Sequence, residues 1–234
     1  MFKEVYPLGF TTEDVITYQK RNLKNVLNIC VKYEYAIDVG ANIGLITIQL
    51  ASRFKNILAI EPIASTYECL KYNTRTYPQI QTLNVAISNY DGEIGFAGSL
   101  ESSMHIKTSK EYSSKVQCLC LDSLDILGCD LLKIDVEGHE LEVIQGAIET
   151  IKKYHPMIIL EEVSSFKKGS ANNLYKQYGK DFTQYLRQAR MILEDMGYAV
   201  YFRQGHDFVL AYGLDFVDSA LLLPSELAVD DHRP

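Results

Sequence analysis

The chain has 234 residues, 47% of them hydrophobic and 23% charged, enough apolar content for one substantial core. Its net charge of −7 argues against a broad phosphate-backbone footprint, which excludes a nucleic-acid substrate as the leading expectation. No apolar run reaches the length of a membrane span and no signal-peptide pattern opens the sequence, so a cytoplasmic protein without a membrane span is expected. Five cysteines (Cys30, Cys69, Cys118, Cys120, Cys129) are odd in number and lack C-x-x-C spacing, and they read as reduced, mostly buried thiols. Cys118 and Cys120 alternate on one face of an apparent strand, more simply a packed face than half a zinc site.

Residues 1–33 read as an N-terminal helical extension. Thr11 and Asp14 suggest a capping-box-like start, and Val15, Leu23, Val26, Leu27 and Cys30 form a helical stripe. That helix either packs against the sheet or covers a ligand pocket. The main domain is expected over 34–213. It opens with a buried strand, Tyr35 to Val39, a tight glycine turn and a helix with Leu45, Ile48 and Ala51 on one face. The turn reads D-x-G-x-N-x-G through Asp38, Gly40, Asn42 and Gly44. Asn42 stands where a dinucleotide fingerprint needs its second glycine, and Leu45 stands where a phosphate loop needs lysine. A second strand, Ile57 to Ile60, ends on Glu61, about twenty residues past the turn, where a nucleoside ribose would find an acceptor for its hydroxyls.

A helix from about Ile63 to Tyr77 and a third strand over Gln79 to Ser88 follow, with a turn at Asp91-Gly92 leading into Glu93 to Phe96. Residues 98–115 are polar and hydroxyl-rich and suit a loop beside a pocket. Val116 to Leu121 reads as extended, Asp122 to Leu127 as a short helix and Asp130 to Val136 as the fourth core strand. Period-two alternation sets Lys133, Asp135 and Glu137 on one face of that strand end, where ligands of doubly wound sheets bind. Three charges on a core strand carry a desolvation penalty that packing alone would avoid. A helix over His139 to Lys153, with Leu141, Ile144, Ala147, Ile148 and Ile151 on its apolar side, precedes a fifth strand, Pro156 to Leu160, which ends in Glu161 and Glu162. Residues 164–181 read as an insertion on the substrate side. A long helix to about Met196 and two strands over 197–202 and 208–212 close the domain, and 214–234 is expected to be a fraying tail. The alternation of strand and helix implies an α/β protein, a mostly parallel sheet with helices on both faces and a C-terminal antiparallel hairpin.

Taken together these stretches resemble the FkbM family of S-adenosylmethionine-dependent methyltransferases. The resemblance is carried by Asp38-Val39-Gly40-Ala41-Asn42-Ile43-Gly44, Ile60-Glu61-Pro62, Asn84-Val85-Ala86-Ile87-Ser88, Leu121-Asp122-Ser123-Leu124 and, most specifically, Leu132 through Glu140. It covers about residues 35–163. It implies a class I, Rossmann-like sheet of seven strands, S-adenosyl-L-methionine as cofactor, and methyl transfer to an oxygen of a sugar, glycan or small metabolite. By the same resemblance, Gly40, Asn42 and Gly44 shape the turn around the methionine portion, and Asp38 lies near its ammonium group. Glu61 accepts both ribose hydroxyls, Ala86 and Ile87 lie near the adenine, and Asp135 sits near the sulfonium and the acceptor.

Transfer from a sulfonium to a hydroxyl needs in-line alignment and removal of a proton. The candidate bases are His139, Glu137 and Asp135. His139 reads equally as a first-turn helix residue with a solvated or capping side chain. Glu137 and Glu161 read equally as anchors that fix loops or hold other hydroxyls of the acceptor. A divalent cation on Asp135 with a second acid is the chemical alternative to a base, and no ligand spacing demands it. The expected partner is a small-molecule or carbohydrate acceptor, with its selection assigned to 98–115 and 164–181. Two other classes stay open at this point: a nicotinamide-dependent oxidoreductase on a degenerate turn, and a non-catalytic nucleoside-binding module.

Overall fold

The computed structural model describes residues 23, 27–28, 30–97, 105–106, 114–161, 182–204 and 207–212. The expected helix start at Thr11 and Asp14, most of the 98–115 loop, the 164–181 insertion and the 214–234 tail lie outside the described residues. In chain order the elements are β1 (Tyr35–Val39), α1 (Leu45–Leu50), β2 (Asn56–Ile60), α2 (Ala64–Thr74), β3 (Ile80–Leu83), β4 (Ala86–Ile87), β5 (Gly92–Ala97), β6 (His105–Ile106) and β7 (Ser114–Leu119). They continue with β8 (Leu131–Ile134), α3 (Glu140–Gln145), α4 (Ile148–Tyr154), β9 (Met157–Glu161), α5 (Phe182–Asp195), β10 (Tyr198–Gln204) and β11 (Asp207–Tyr212).

Five strands run parallel in the order β3-β2-β1-β8-β9, as buried apolar runs linked by helical crossovers should. Beyond β9 the backbone of β11 pairs antiparallel, and β10 pairs antiparallel with β11. One face of the sheet packs Ile37, Val39, Ile60, Leu132, Ile134, Ile158 and Leu160 against Val143, Ile144, Ala147 and Ile151, with Ala189 and Leu193 of α5. The other packs Ala36, Ile57, Leu131 and Ile159 against Leu50 and Phe54, and there Leu23, Leu27 and Cys30 join the core. No helix among the described residues is long and apolar enough to cross a membrane. The five cysteines are free thiols, and all but Cys120 are buried.

Several elements differ from the sequence expectation for local reasons. The expected third strand is two: β3 belongs to the main sheet, whereas β4 pairs with β7 in a second sheet ordered β4-β7-β5-β6. Asn84 makes the break, its Nδ2 donating to the carbonyls of Glu61 at 2.8 Å and Pro62 at 3.0 Å. In α1 the buried residues are Leu45, Thr47 and Leu50, because Thr47 turns inward to a buried carboxylate. The helix expected over 139–153 divides at Gly146, where a Cβ would lie 1.9 Å from the Ser88 carbonyl oxygen, so only glycine lets that loop dock. The helix expected over 122–127 shrinks to a single 3-10 turn, Leu121–Ser123, since the Asp122 side chain serves another element. Its Oδ2 and Oδ1 accept the N–H groups of Glu149 at 2.9 Å and Thr150 at 2.8 Å, capping α4 from a distance in sequence.

That cap is testable. Asp122→Ala should cost about 0.5–2 kcal/mol of stability, measured by denaturant unfolding, while Asp122→Asn, which keeps one of the two acceptor oxygens, should lose less.

Candidate active site

The turn after β1 is held by three left-handed residues, Gly40 (φ 78°), Asn42 (φ 51°) and Gly44 (φ 91°). Gly40 is required twice over: its φ disfavours a side chain, and a Cβ there would lie 1.8 Å from the Asp135 carbonyl oxygen. Asn42 is the residue type other than glycine that tolerates this conformation best. Its N–H donates to Glu61 Oε2 at 2.9 Å, while the N–H of Ile63 donates to Oε1 at 2.9 Å. Gly40 and Ala41 both donate to the Ile60 carbonyl, at 3.0 and 2.9 Å. Glu61 therefore ties the turn after β1 to the end of β2. Burial pushes its carboxyl up to about 7 against the opposing pull of those two N–H bonds.

Beneath the turn, Asp38 is wholly buried and its Oδ2 accepts the Thr47 hydroxyl at 2.6 Å. Lys133 Nζ lies 3.0 Å from Asp135 Oδ2, with hydrogen-bond geometry, and 3.4 Å from Asp38 Oδ1. The second approach is an ion pair only, since Asp38 Oδ1 makes no hydrogen bond. One buried cation is thus shared by two carboxylates, which keeps both tolerable inside the fold and leaves the set net negative. The Asp135 side chain is 37% exposed, so it is the member that reaches solvent.

β8 ends at Ile134, and the chain turns through Glu137 (φ 54°) and Gly138 (φ 98°) into α3. Glu137 is therefore placed by a left-handed turn, and period-two alternation reaches only as far as Asp135. It is half-buried, and its carboxyl is pushed up to about 7 by burial and by Asp135, with Lys133 opposing. The wholly buried Glu140 accepts the Gly138 N–H at 3.0 Å and the Val136 N–H at 3.4 Å on Oε1; burial pushes it, too, up to about 7. His139 is buried, with Nε2 3.0 Å from Ser88 Oγ and Nδ1 3.2 Å from Glu142 Oε2. It makes no helix-capping bond and is not solvated. Asn89 Nδ2 donates to Gln145 Oε1 at 2.7 Å beside it, so the end of β4 is stapled to α3.

Asp38, Gly40, Asn42, Gly44, Glu61 and Asp135 gather at the carboxyl ends of β1, β2 and β8, and Glu137 follows them by one turn. Ala86 and Ile87 do not act together: Ala86 packs with Ile94 and Cys118, against which Ile63 leans, while Ile87 enters the main core. The backbone of Glu161 pairs with Asp207. Among the described residues no group of three or more His, Cys, Asp or Glu is arranged to hold a metal. Lys133 is marked in the sequence only as one of three charges at the strand end, and Thr47, Ser88, Asn84 and Glu140 carry no role there. A lysine inside a core strand was the one visible signal among them; the others act through partners 9 to 51 positions away, apart from Glu140, whose burial is what matters. Chemically the site offers several carboxylates, one shared cation and a left-handed turn, suited to a cationic ligand that carries hydroxyl groups.

A family model described as the Methyltransferase FkbM domain matches residues 38–200. The hexuronic acid methyltransferase AglP of Haloferax volcanii is 30% identical over 128 residues, 52% of this chain and 53% of its own. The chain thus spans about half the length of that curated relative. Among solved structures, methyltransferase FkbM from Methylobacillus flagellatus KT has a TM-score of 0.52 at 16% identity, covering 77% of this chain and 44% of its own. Magnesium protoporphyrin IX methyltransferase (ChlM) from Synechocystis PCC 6803, solved with bound SAM, has a TM-score of 0.50 at 13% identity, covering 89% and 86%. At such identities the likeness concerns the fold, an α/β Rossmann-like methyltransferase fold.

The raised carboxyl of Glu140 has a consequence for stability. From an ordinary value of 4.5 to about 7, its proton is held in the folded chain where the unfolded chain has lost it. That contribution is complete below about pH 4.5 and is lost as the pH rises through about 7. Glu140→Gln, neutral throughout, should match the wild-type melting temperature near pH 5 and exceed it near pH 8, as read by thermal unfolding.

Proposed function

Because the chain belongs to the FkbM methyltransferase family, we propose that it moves the methyl group of S-adenosylmethionine to a hydroxyl oxygen of a carbohydrate, with a hexuronic acid the first acceptor to try. The sheet, read whole, is then the seven-stranded methyltransferase sheet closed by its antiparallel hairpin. The observation that carries the reading is Glu61, a buried carboxylate fixed by the N–H groups of Asn42 and Ile63 beside the left-handed turn. The residues fit the cofactor. A buried oxygen of Asp38 lacks a hydrogen bond, and the surrounding carboxylates outnumber their shared lysine, which suits a positively charged donor. When bound, that donor supplies an electrophilic methyl group.

In this reading Gly40, Asn42 and Gly44 shape the turn around the methionine portion, with Asp38 toward its ammonium group. Glu61 takes the ribose hydroxyls, and Ala86 borders the adenine side, while Ile87 supports it from the core. Asp135, the solvent-reaching carboxylate, faces the transfer end. Glu137 serves as the general base: it is partly accessible, next to Asp135, and its carboxyl near 7 suits proton acceptance at neutral pH. His139 assumes a positioning role, supported by the contacts of both ring nitrogens with Ser88 and Glu142. A hydroxyl acceptor is favoured over a uronic carboxylate, because Asp135 and Glu137 repel an anionic oxygen and can take a proton from a neutral one. The relative's name supports the sugar class.

Purified protein incubated with S-adenosylmethionine and hexuronic-acid oligosaccharides should yield, by mass spectrometry, a product heavier by one methylene and methylated at a hydroxyl. Its rate should fall as the pH drops through about 7, where Glu137 takes up its proton. Glu137→Gln should lower kcat by about 10²–10⁴-fold. A methyl ester formed at an undiminished rate by that variant would contradict both the hydroxyl acceptor and the base.

A further inference from the structure

Glu140 is wholly buried at the first position of α3, and the chemistry above makes no use of it. Its Oε1 accepts the N–H of Gly138 at 3.0 Å and of Val136 at 3.4 Å, so one oxygen brackets Glu137 from both sides. Glu137 is itself a left-handed non-glycine residue (φ 54°), followed by left-handed Gly138 (φ 98°). Such a backbone is strained at a residue that carries a side chain, and persists only where its surroundings over-determine it. A buried carboxylate is a costly way to fill space at the foot of a helix, and an apolar side chain would fill it without the desolvation penalty. Glu140 Oε2 is buried and makes no hydrogen bond, so the charge satisfies no second donor there. Besides its own backbone N–H, the side chain holds the two N–H groups that flank Glu137.

We propose that Glu140 is a positioning residue, which locks the left-handed turn at Glu137 and so aims the Glu137 carboxyl at the transfer end of the sheet beside Asp135. This inference rests on the reading of Glu137 as the base. Among the described residues, the charged groups that act on Glu137 are Asp135, which shares its charge, and Lys133, which opposes it; Glu140 acts on it through the backbone. The useful oxygen is an acceptor that an amide retains, whereas shortening the arm by one methylene withdraws it.

Three variants test the inference: Glu140→Gln, Glu140→Asp and Glu137→Gln. Each is read by kcat with S-adenosylmethionine and a hexuronic-acid oligosaccharide, by calorimetric affinity for S-adenosylhomocysteine, and by a ¹³C carboxyl titration of Glu137 in the two Glu140 variants. Glu140→Asp should lower kcat by about 10²-fold with cofactor affinity unchanged. The Glu137 midpoint should drop by about one pH unit toward the ordinary carboxylate range as the turn relaxes into water. Glu140→Gln should keep both kcat and midpoint. Wild-type kcat and an unmoved midpoint in Glu140→Asp would overturn the inference. So would a Glu140→Gln variant as impaired as Glu140→Asp, since charge and not geometry would then be at work. If Glu137→Gln turns over at the wild-type rate, the base reading falls on its own. The titration then decides the turn: a midpoint that moves in Glu140→Asp supports the lock, and one that stays overturns it.

Discussion

Two backbones meet at the centre of the site, where Gly40 lies against the carbonyl of Asp135 so tightly that no Cβ can intervene. That contact joins the loop after β1 to the loop after β8, and the other polar groups are arranged around it. Asn42 and Ile63 hand their N–H groups to Glu61, which pins the β2 end into the same place. Asn84 then fastens the far side of that loop by its bonds to the Glu61 and Pro62 carbonyls. Four strand ends are thereby fixed relative to one another by hydrogen bonds and close packing.

Electrostatics follow from this crowding. Asp38, Glu61, Asp135 and Glu137 gather around Lys133, the one buried lysine among the described residues, and burial raises the carboxyls of Glu61, Glu137 and the nearby Glu140 into the neutral range. A fold selected for stability alone would replace such a set with apolar side chains. Concentrated negative potential is useful where the ligand is a cation, and a carboxyl near neutrality is useful where a proton must move. The same feature that burdens the fold suits the chemistry proposed for it.

Much of the framework was legible in the sequence, because its signals are local. The strand over Tyr35 to Val39, the acid that ends β2 and the apolar run of β9 follow from continuous buried runs, and the structure places them within a residue of the expected bounds. The convergence of Asp38, Gly40, Glu61 and Asp135 at one sheet end followed from parallel topology. Contacts between distant segments were not legible. The division of the third strand depends on Asn84 reaching back to Glu61, and the break at Gly146 depends on the Ser88 carbonyl 58 positions earlier by the numbering. His139 reads as a solvated or catalytic residue until Ser88 and Glu142 are seen on either side of it. Glu140 reads as an ordinary helix-start acid, and only its complete burial shows otherwise.

A nucleoside pocket anchored on Glu61 is open to calorimetric titration with S-adenosylhomocysteine, with NAD as the control and Glu61→Ala as the variant. S-adenosylhomocysteine alone should bind, with affinity weakened by about 1–3 kcal/mol in the folded variant as charge-assisted bonds to the ribose are lost. Binding of NAD in its place, or an affinity that Glu61→Ala leaves unchanged, would contradict it.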